Sequence, residues 1–233
     1  MLAVTEIHAG YAGSVVLHGV SLQVSDGEGV VILGPNGHGK TTLLRALSGL
    51  IHPIKGSIEF EGKDITRRRA DEIAAAGIVH IPQGDLLFPE MTVAENLLMG
   101  AYVKDAWSTR ESKPADVYEL FPALAERKGQ LARSLSGGER RMLALGRGLM
   151  ARARILLVDE PSLGLAPVAT ERIYESIRAI KGRGMSILLV DENANHVAGL
   201  ADRVYLLESG QLVREGPAEQ LLKDEALLAA YLG

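Results

Sequence analysis

A chain of 233 residues with 25 Lys and Arg against 29 Asp and Glu has room for one substantial core or two lobes, and its formal charge of −4 gives no blanket attraction to nucleic acid. With no cysteine it has no disulfide, no thiolate metal site and no cysteine nucleophile, which fits a reducing compartment. No run approaches the ~18 apolar residues of a membrane span, and the N-terminus lacks the features of a secretory signal, so the expected setting is cytosolic, with membrane association only through another protein.

The first residues alternate and read as antiparallel strands, as does GSIEFEG at Gly56–Gly62. Short Val, Ile and Leu runs then recur at Gly29–Leu33, Ile78–Ile81, Ile155–Val158, Ile187–Val190 and Val204–Leu207, with helical stretches between them. Runs of that kind are buried on both faces, which predicts a mainly parallel sheet covered by helices. After the first run, KTTLLRALSGL sets Leu43, Ala46, Leu47 and Leu50 on one helical face. TRRR at Thr66–Arg69 reads as a solvated surface turn.

From Asp85 to Met150 the pattern is helical, opening with the capping box TVAE, in which Thr92 caps and Glu95 reaches back. This stretch, 85–150, reads as a helical subdomain inserted into a core made of 1–84 and 151–233. A Ser209–Gly210 turn joins VYLLE to QLVRE, and PAEQLLKDEALLAAYLG is expected to close the chain as an amphipathic helix.

GPNGHGKT, comprising Gly34, Pro35, Asn36, Gly37, His38, Gly39, Lys40 and Thr41, fits the G-x-x-x-x-G-K-[ST] pattern and lies between a strand and a helix, as its mechanism requires. Backbone N–H groups and the helix N-terminus suit phosphate oxygens, Lys40 suits the β- and γ-phosphates, and Thr41 suits Mg²⁺. The fold class expected is therefore α/β, a P-loop NTPase with an N-terminal antiparallel β subdomain and the inserted helical subdomain.

The hexapeptide ILLVDE occurs twice, at Ile155–Glu160 and Ile187–Glu192, in unrelated flanks. The first copy supplies the strand-end acids a P-loop needs: Asp159 to hold the metal and Glu160 to polarise the attacking water. LSGGE at Leu135–Glu139 is another capping box, with Ser136 and Glu139 as its pair. Gly137 and Gly138 sit where better helix formers were available, and bare N–H groups at a helix start suit an anion.

GPNGHGKT, IPQG, LSGGE and ILLVDEPSLGLAP, in that order, resemble the ATP-binding subunit of an ABC transporter across essentially the whole chain. MTVAENLLMGAY, VYELFPAL, PSLGLAP, ENAN and AYLG are similar to the branched-chain (hydrophobic) amino acid importer ATPases. The resemblance implies ATP and Mg²⁺ as cofactors, with Tyr11 stacking on adenine and the loop through Thr42 binding phosphates. It implies that Gln83 contacts Mg²⁺ and water and reports to the membrane subunits. It further implies that Ser136, Gly137 and Gly138 contact the γ-phosphate held by an opposing subunit and that Ser162–Leu165 lines the dimer interface.

The partners implied are two permease subunits, a second ATPase in a head-to-tail homo- or heterodimer, and a solute receptor reached through the permeases, with no direct nucleic acid. The location implied is the cytoplasmic face of the cell membrane, with amino acids leading as cargo and urea, short amides and aromatic acids as alternatives. The resemblance also places Glu192 where most of the family has a histidine contacting the γ-phosphate, and where the importer branch usually has Gln. His196, about one helical turn on, is the candidate substitute, with a solvent-facing helix residue as its default. Asp191 is expected to cap a turn or to be a peripheral acid.

Overall fold

In the computed structural model, residues 1–102, 104–107, 110 and 113–224 are described. Among the described residues ten strands form two sheets. The first sheet holds β1 (Leu2–Tyr11), β2 (Ser14–Val24), β4 (Lys55–Phe60) and β5 (Lys63–Asp64) in the order β2-β1-β4-β5, all antiparallel. The second holds β3 (Gly29–Leu33), β6 (Ile78–Ile81), β7 (Ile155–Asp159), β8 (Ser186–Asp191), β9 (Arg203–Glu208) and β10 (Gln211–Pro217) in the order β10-β9-β3-β8-β7-β6. There β3, β6, β7, β8 and β9 run parallel and β10 returns antiparallel along the edge. Every residue of β3, β7 and β8 is buried, as strands covered on both faces must be. All five predicted core strands are present.

The helices are α1 (Lys40–Leu47), α2 (Ala70–Ala76), α3 (Val93–Gly100), α4 (Lys104–Trp107), α5 (Pro114–Leu120), α6 (Pro122–Glu126), α7 (Gly137–Met150), α8 (Pro167–Gly182) and α9 (Ala218–Leu221). Two apolar layers flank the parallel sheet. On one side Val30, Ile32, Ile155, Leu157, Leu188 and Val190 meet α1 and the antiparallel sheet. On the other, Leu156, Val158, Ile187 and Leu189 meet residues of α3, α7 and α8. Each fully buried Leu or Ile contributes about 1.5–3 kcal/mol through the water it leaves.

Two expectations are corrected in detail, and a third is seen only in part. Leu50 is not on the buried face of α1, because Gly49, at φ 71° and with Ile73 against it, ends that helix, and Leu50 stands 59 % exposed. The helical pattern does not begin at Asp85. Asn96 is fully buried and its amide binds Phe88 N–H and the carbonyls of Phe88, Met91 and Thr92, holding the preceding segment as a loop up to the Thr92 cap. Of the predicted closing helix, α9 is short and residues 225–233 lie outside the described residues.

Candidate nucleotide site

Strand order brings three chain segments together, since β8 lies between β3 and β7 and all three run the same way. At their C-terminal ends, Gly34 N–H donates to Asp191 O at 3.2 Å and Glu160 N–H donates to Val190 O at 3.0 Å. A glycine is required at position 34, where a Cβ would stand 2.3 Å from Leu207 O, and at Gly39, whose φ of 106° turns the chain into α1.

The two hexapeptides pair side by side, one residue out of step. Leu156 faces Ile187 and Asp159 faces Val190. Side chains alternate along a strand, so this offset puts the odd positions of the two copies on opposite faces. Asp159 shares the face of Ile155 and Leu157, toward α1 and the glycine loop. Asp191 shares the face of Ile187 and Leu189, toward α8.

Lys40 is 3 % exposed, and its Nζ lies 3.0 Å from Glu160 Oε1 while donating to Gly34 O at 2.7 Å and Pro35 O at 3.1 Å. Gln83, just past β6, donates from Nε2 to Glu160 Oε2 at 2.9 Å. Glu160 is 6 % exposed and held at φ 42°, a left-handed conformation that costs a non-glycine residue about 1–3 kcal/mol and is found where neighbours over-determine it. Thr41 Oγ1 donates to Asp159 Oδ1 at 3.2 Å, whereas Asp159 Oδ2 is buried and has no partner among the described residues. Burial pushes the Asp159 carboxyl above its usual range, with the Thr41 hydrogen bond working against the rise. A bare buried carboxylate oxygen beside a hydroxyl suits a hard divalent cation such as Mg²⁺, which takes oxygen ligands.

A cavity of about 320 Å³ opens over these groups, lined chiefly by Asn36, Gly39, Lys40, Thr41, Gln83 and Glu160, with Thr42 and Gly37 at its wall. His38 turns away from it, its Nδ1 accepting from Ser209 N–H at 3.0 Å. Tyr11 does not line it either. Its ring is 39 % exposed, and its hydroxyl accepts from Arg45 at 3.1 Å.

Ser136 caps α7, accepting from Glu139 N–H at 3.3 Å while Glu139 Oε2 accepts from Ser136 N–H at 2.8 Å. Neither Gly137 nor Gly138 lines the cavity over Lys40. Both pack closely, since a Cβ at Gly137 would lie 3.2 Å from Leu165 and one at Gly138 would lie 3.1 Å from Ala169. That contact is a reason for the two glycines which capping alone does not supply.

At the end of β8, Asp191 is buried and accepts from Glu192 N–H at 2.7 Å, Asn193 N–H at 2.9 Å and the Tyr174 hydroxyl. It caps the turn, as one expectation held, but is internal rather than peripheral, and burial raises its carboxyl above the usual range. His196 stacks against Tyr174 with ring centroids 5.0 Å apart and is half-buried in a short 3₁₀ turn. It is therefore neither beside the glycine loop nor a solvent-facing helix residue. Glu192 instead reaches the loop, its Oε2 accepting from Asn36 Nδ2 at 2.5 Å.

Arg141 was not singled out from the sequence. It is 3 % exposed on α7, donates to Gly84 O at 3.2 Å and stands 3.5 Å from Asp85, tying the helix after LSGGE to the segment after Gln83. Its only sequence signal is a cation on the apolar face of an amphipathic helix.

Residues 17–163 match the family described as ABC transporter, and the chain belongs to that family. It is an ATP-binding subunit and an ATPase of the ABC type. Over the full length of both chains it is 41 % identical to the high-affinity branched-chain amino acid transport ATP-binding protein BraG of Pseudomonas aeruginosa. It is 34 % identical to the lipopolysaccharide export system ATP-binding protein LptB of Acidithiobacillus ferridurans, across 100 % of this chain and 97 % of that one. A solved structure of the ADP conformation of an ATP-binding cassette of an ABC transporter superposes with a TM-score of 0.84 at 29 % identity, covering 100 % of this chain and 98 % of that one.

Proposed function

We propose that the chain energises an importer of branched-chain or other hydrophobic amino acids, hydrolysing ATP at the cavity over Lys40. The observation that carries the reaction is Glu160, fixed between Lys40 and Gln83 at the mouth of a glycine loop. The substrate class is supported by the 41 % identity to BraG.

On this reading the phosphates of ATP lie against the N–H groups of the loop and the start of α1, whose partial positive charge favours them. Lys40 exchanges its carbonyl partners and its ion pair with Glu160 for phosphate oxygens, which frees Glu160 to accept a proton from the attacking water. Gln83 holds that carboxylate in place. Mg²⁺, when bound, neutralises charge on the β- and γ-phosphates, and Thr41, Asp159 and Gln83 are the residues that would hold it. Tyr11, exposed beside Arg45, is suited to stack on the base.

Ser136, Gly137 and Gly138 lie outside this chain's own cavity, which fits a head-to-tail dimer in which each signature completes the other site. Leu163 and Val168, 46 % and 68 % exposed, are apolar surface in keeping with such an interface. A groove of about 610 Å³ runs from Leu50 and His80 to Phe88, Met99 and Tyr102, and Pro82 in its wall directly precedes Gln83. We assign it to the permease subunits, with residues 85–150 moving as the helical subdomain. No helix among the described residues is long and apolar enough to cross a membrane. As an importer's ATP-binding subunit the chain would sit peripherally on the cytoplasmic face, with the receptor reached through the permeases.

A second reading is favoured by Glu192: a subunit that turns over slowly and lends its signature to a more active partner ATPase. Uptake assays test the first. Cells lacking this chain should lose accumulation of labelled leucine, regain it with the wild-type chain and not with Glu160→Gln. Normal leucine uptake in those cells would reject the assignment. Introducing Glu160→Gln into one subunit at a time of a reconstituted pair separates the second reading.

A further inference from the structure

Glu192 is an acid that the hydrolytic chemistry above does not use. It follows Asp191 onto the face of the sheet that carries the glycine loop, and its side chain is exposed. Its carboxylate accepts from Asn36 Nδ2 at 2.5 Å, and Asn36 Oδ1 lies 3.5 Å from Lys40 Nζ. Asn36 is itself part of the cavity wall. A negative charge therefore stands one side chain away from the lysine, which already has Glu160 at 3.0 Å. Among the described residues Glu192 forms no ion pair.

We propose that Glu192 sets the nucleotide preference of this site, weakening ATP relative to ADP. The proposal rests on reading the cavity as the nucleotide site. Two effects act in the same direction. The carboxylate repels the extra phosphate of ATP, a charge that ADP lacks, and because Glu192 is exposed this repulsion is screened by salt, with a Debye length of about 8–10 Å in ordinary buffers. It also engages one of the two N–H donors of the Asn36 amide, leaving only the other to turn to a phosphate oxygen.

Glutamine at this position separates charge from hydrogen bonding, because its carbonyl still accepts from Asn36 while the negative charge is gone. Equilibrium binding of ADP and of a non-hydrolysable ATP analogue, each with Mg²⁺, is measured for the wild type and Glu192→Gln at low and high salt. We expect Glu192→Gln to bind the analogue about tenfold more tightly and ADP within about twofold of wild type, with the gap between the two proteins narrowing as salt rises. A merely structural role for the Asn36 contact would move neither nucleotide in Glu192→Gln. An unchanged ratio of the two affinities, or an equal change in both, overturns the proposal while leaving the nucleotide site intact. Failure of the wild type to bind ADP at all overturns the site reading and the proposal with it.

Discussion

Asp159 and Asp191, each the fifth residue of an identical ILLVDE, point to opposite faces of one sheet because their strands pair one residue out of step. Asp159 meets Thr41 of the glycine loop, and Asp191 meets Tyr174 of α8. The same sequence thus provides an acid against the glycine loop in one strand and an internal anchor in the next. In the second copy it is Glu192, not Asp191, that reaches the glycine loop.

The anchor has a measurable worth. Tyr174 is 1 % exposed, so Tyr174→Phe removes a donor to a buried carboxylate without opening a large cavity. The expected cost is about 1–3 kcal/mol, and a chain of this size loses about 2–4 °C of Tm per kcal/mol. Thermal unfolding of the two proteins checks it, and an unchanged Tm would mean that Asp191 is satisfied by its backbone donors alone.

Gly100 closes α3 against α7, where a Cβ would lie 2.1 Å from Arg147 O and 2.9 Å from Met150 Cβ. Backbone cannot yield as a side-chain tip does. Gly100→Ala is expected to destabilise by about 1–3 kcal/mol despite the better helix propensity of alanine. Denaturant titration reads the difference, and a stabilised variant would contradict the close packing of these two helices.

His80 gives stability a pH dependence. Burial, reinforced by the nearby Arg45 charge, lowers its imidazole from 6.5 to about 4. Between those values the unfolded chain holds the proton and the folded chain does not, so stability is full above the unfolded value and falls as pH drops toward the folded one. At pH 5 the loss from this group is expected to be about 2 kcal/mol. Urea unfolding at neutral and mildly acid pH should show this slope in the wild type and a shallower one in His80→Gln, and equal slopes would assign the acid loss elsewhere.

What was legible in the sequence followed from local physics. β3, β7 and β8 are continuous apolar runs, and the glycine loop carries its own geometry, so strands, loop and the positions of Asp159 and Glu160 at a strand end are legible in the sequence alone. Strand register was not legible, because Ile155–Glu160 and Ile187–Glu192 are identical and only pairing decides which face each acid takes. The loop before Thr92 was hidden for a similar reason: Asn96 reads as one more helix residue until its amide is seen binding four backbone groups. Arg141 and the packing of Gly137 on Leu165 and of Gly138 on Ala169 are tertiary contacts that no local pattern announces.

We propose that Glu160, held by Lys40 and Gln83, is the base of an ATP-hydrolysing site completed by a second signature. The most direct test is steady-state ATP hydrolysis by the purified chain across a range of protein concentration, wild type beside Glu160→Gln. Activity is expected to rise more steeply than linearly with concentration in the wild type, and to fall at least about 100-fold in Glu160→Gln with ATP binding retained. Hydrolysis that is strictly linear in protein concentration and undiminished in Glu160→Gln would contradict both the base and the shared site.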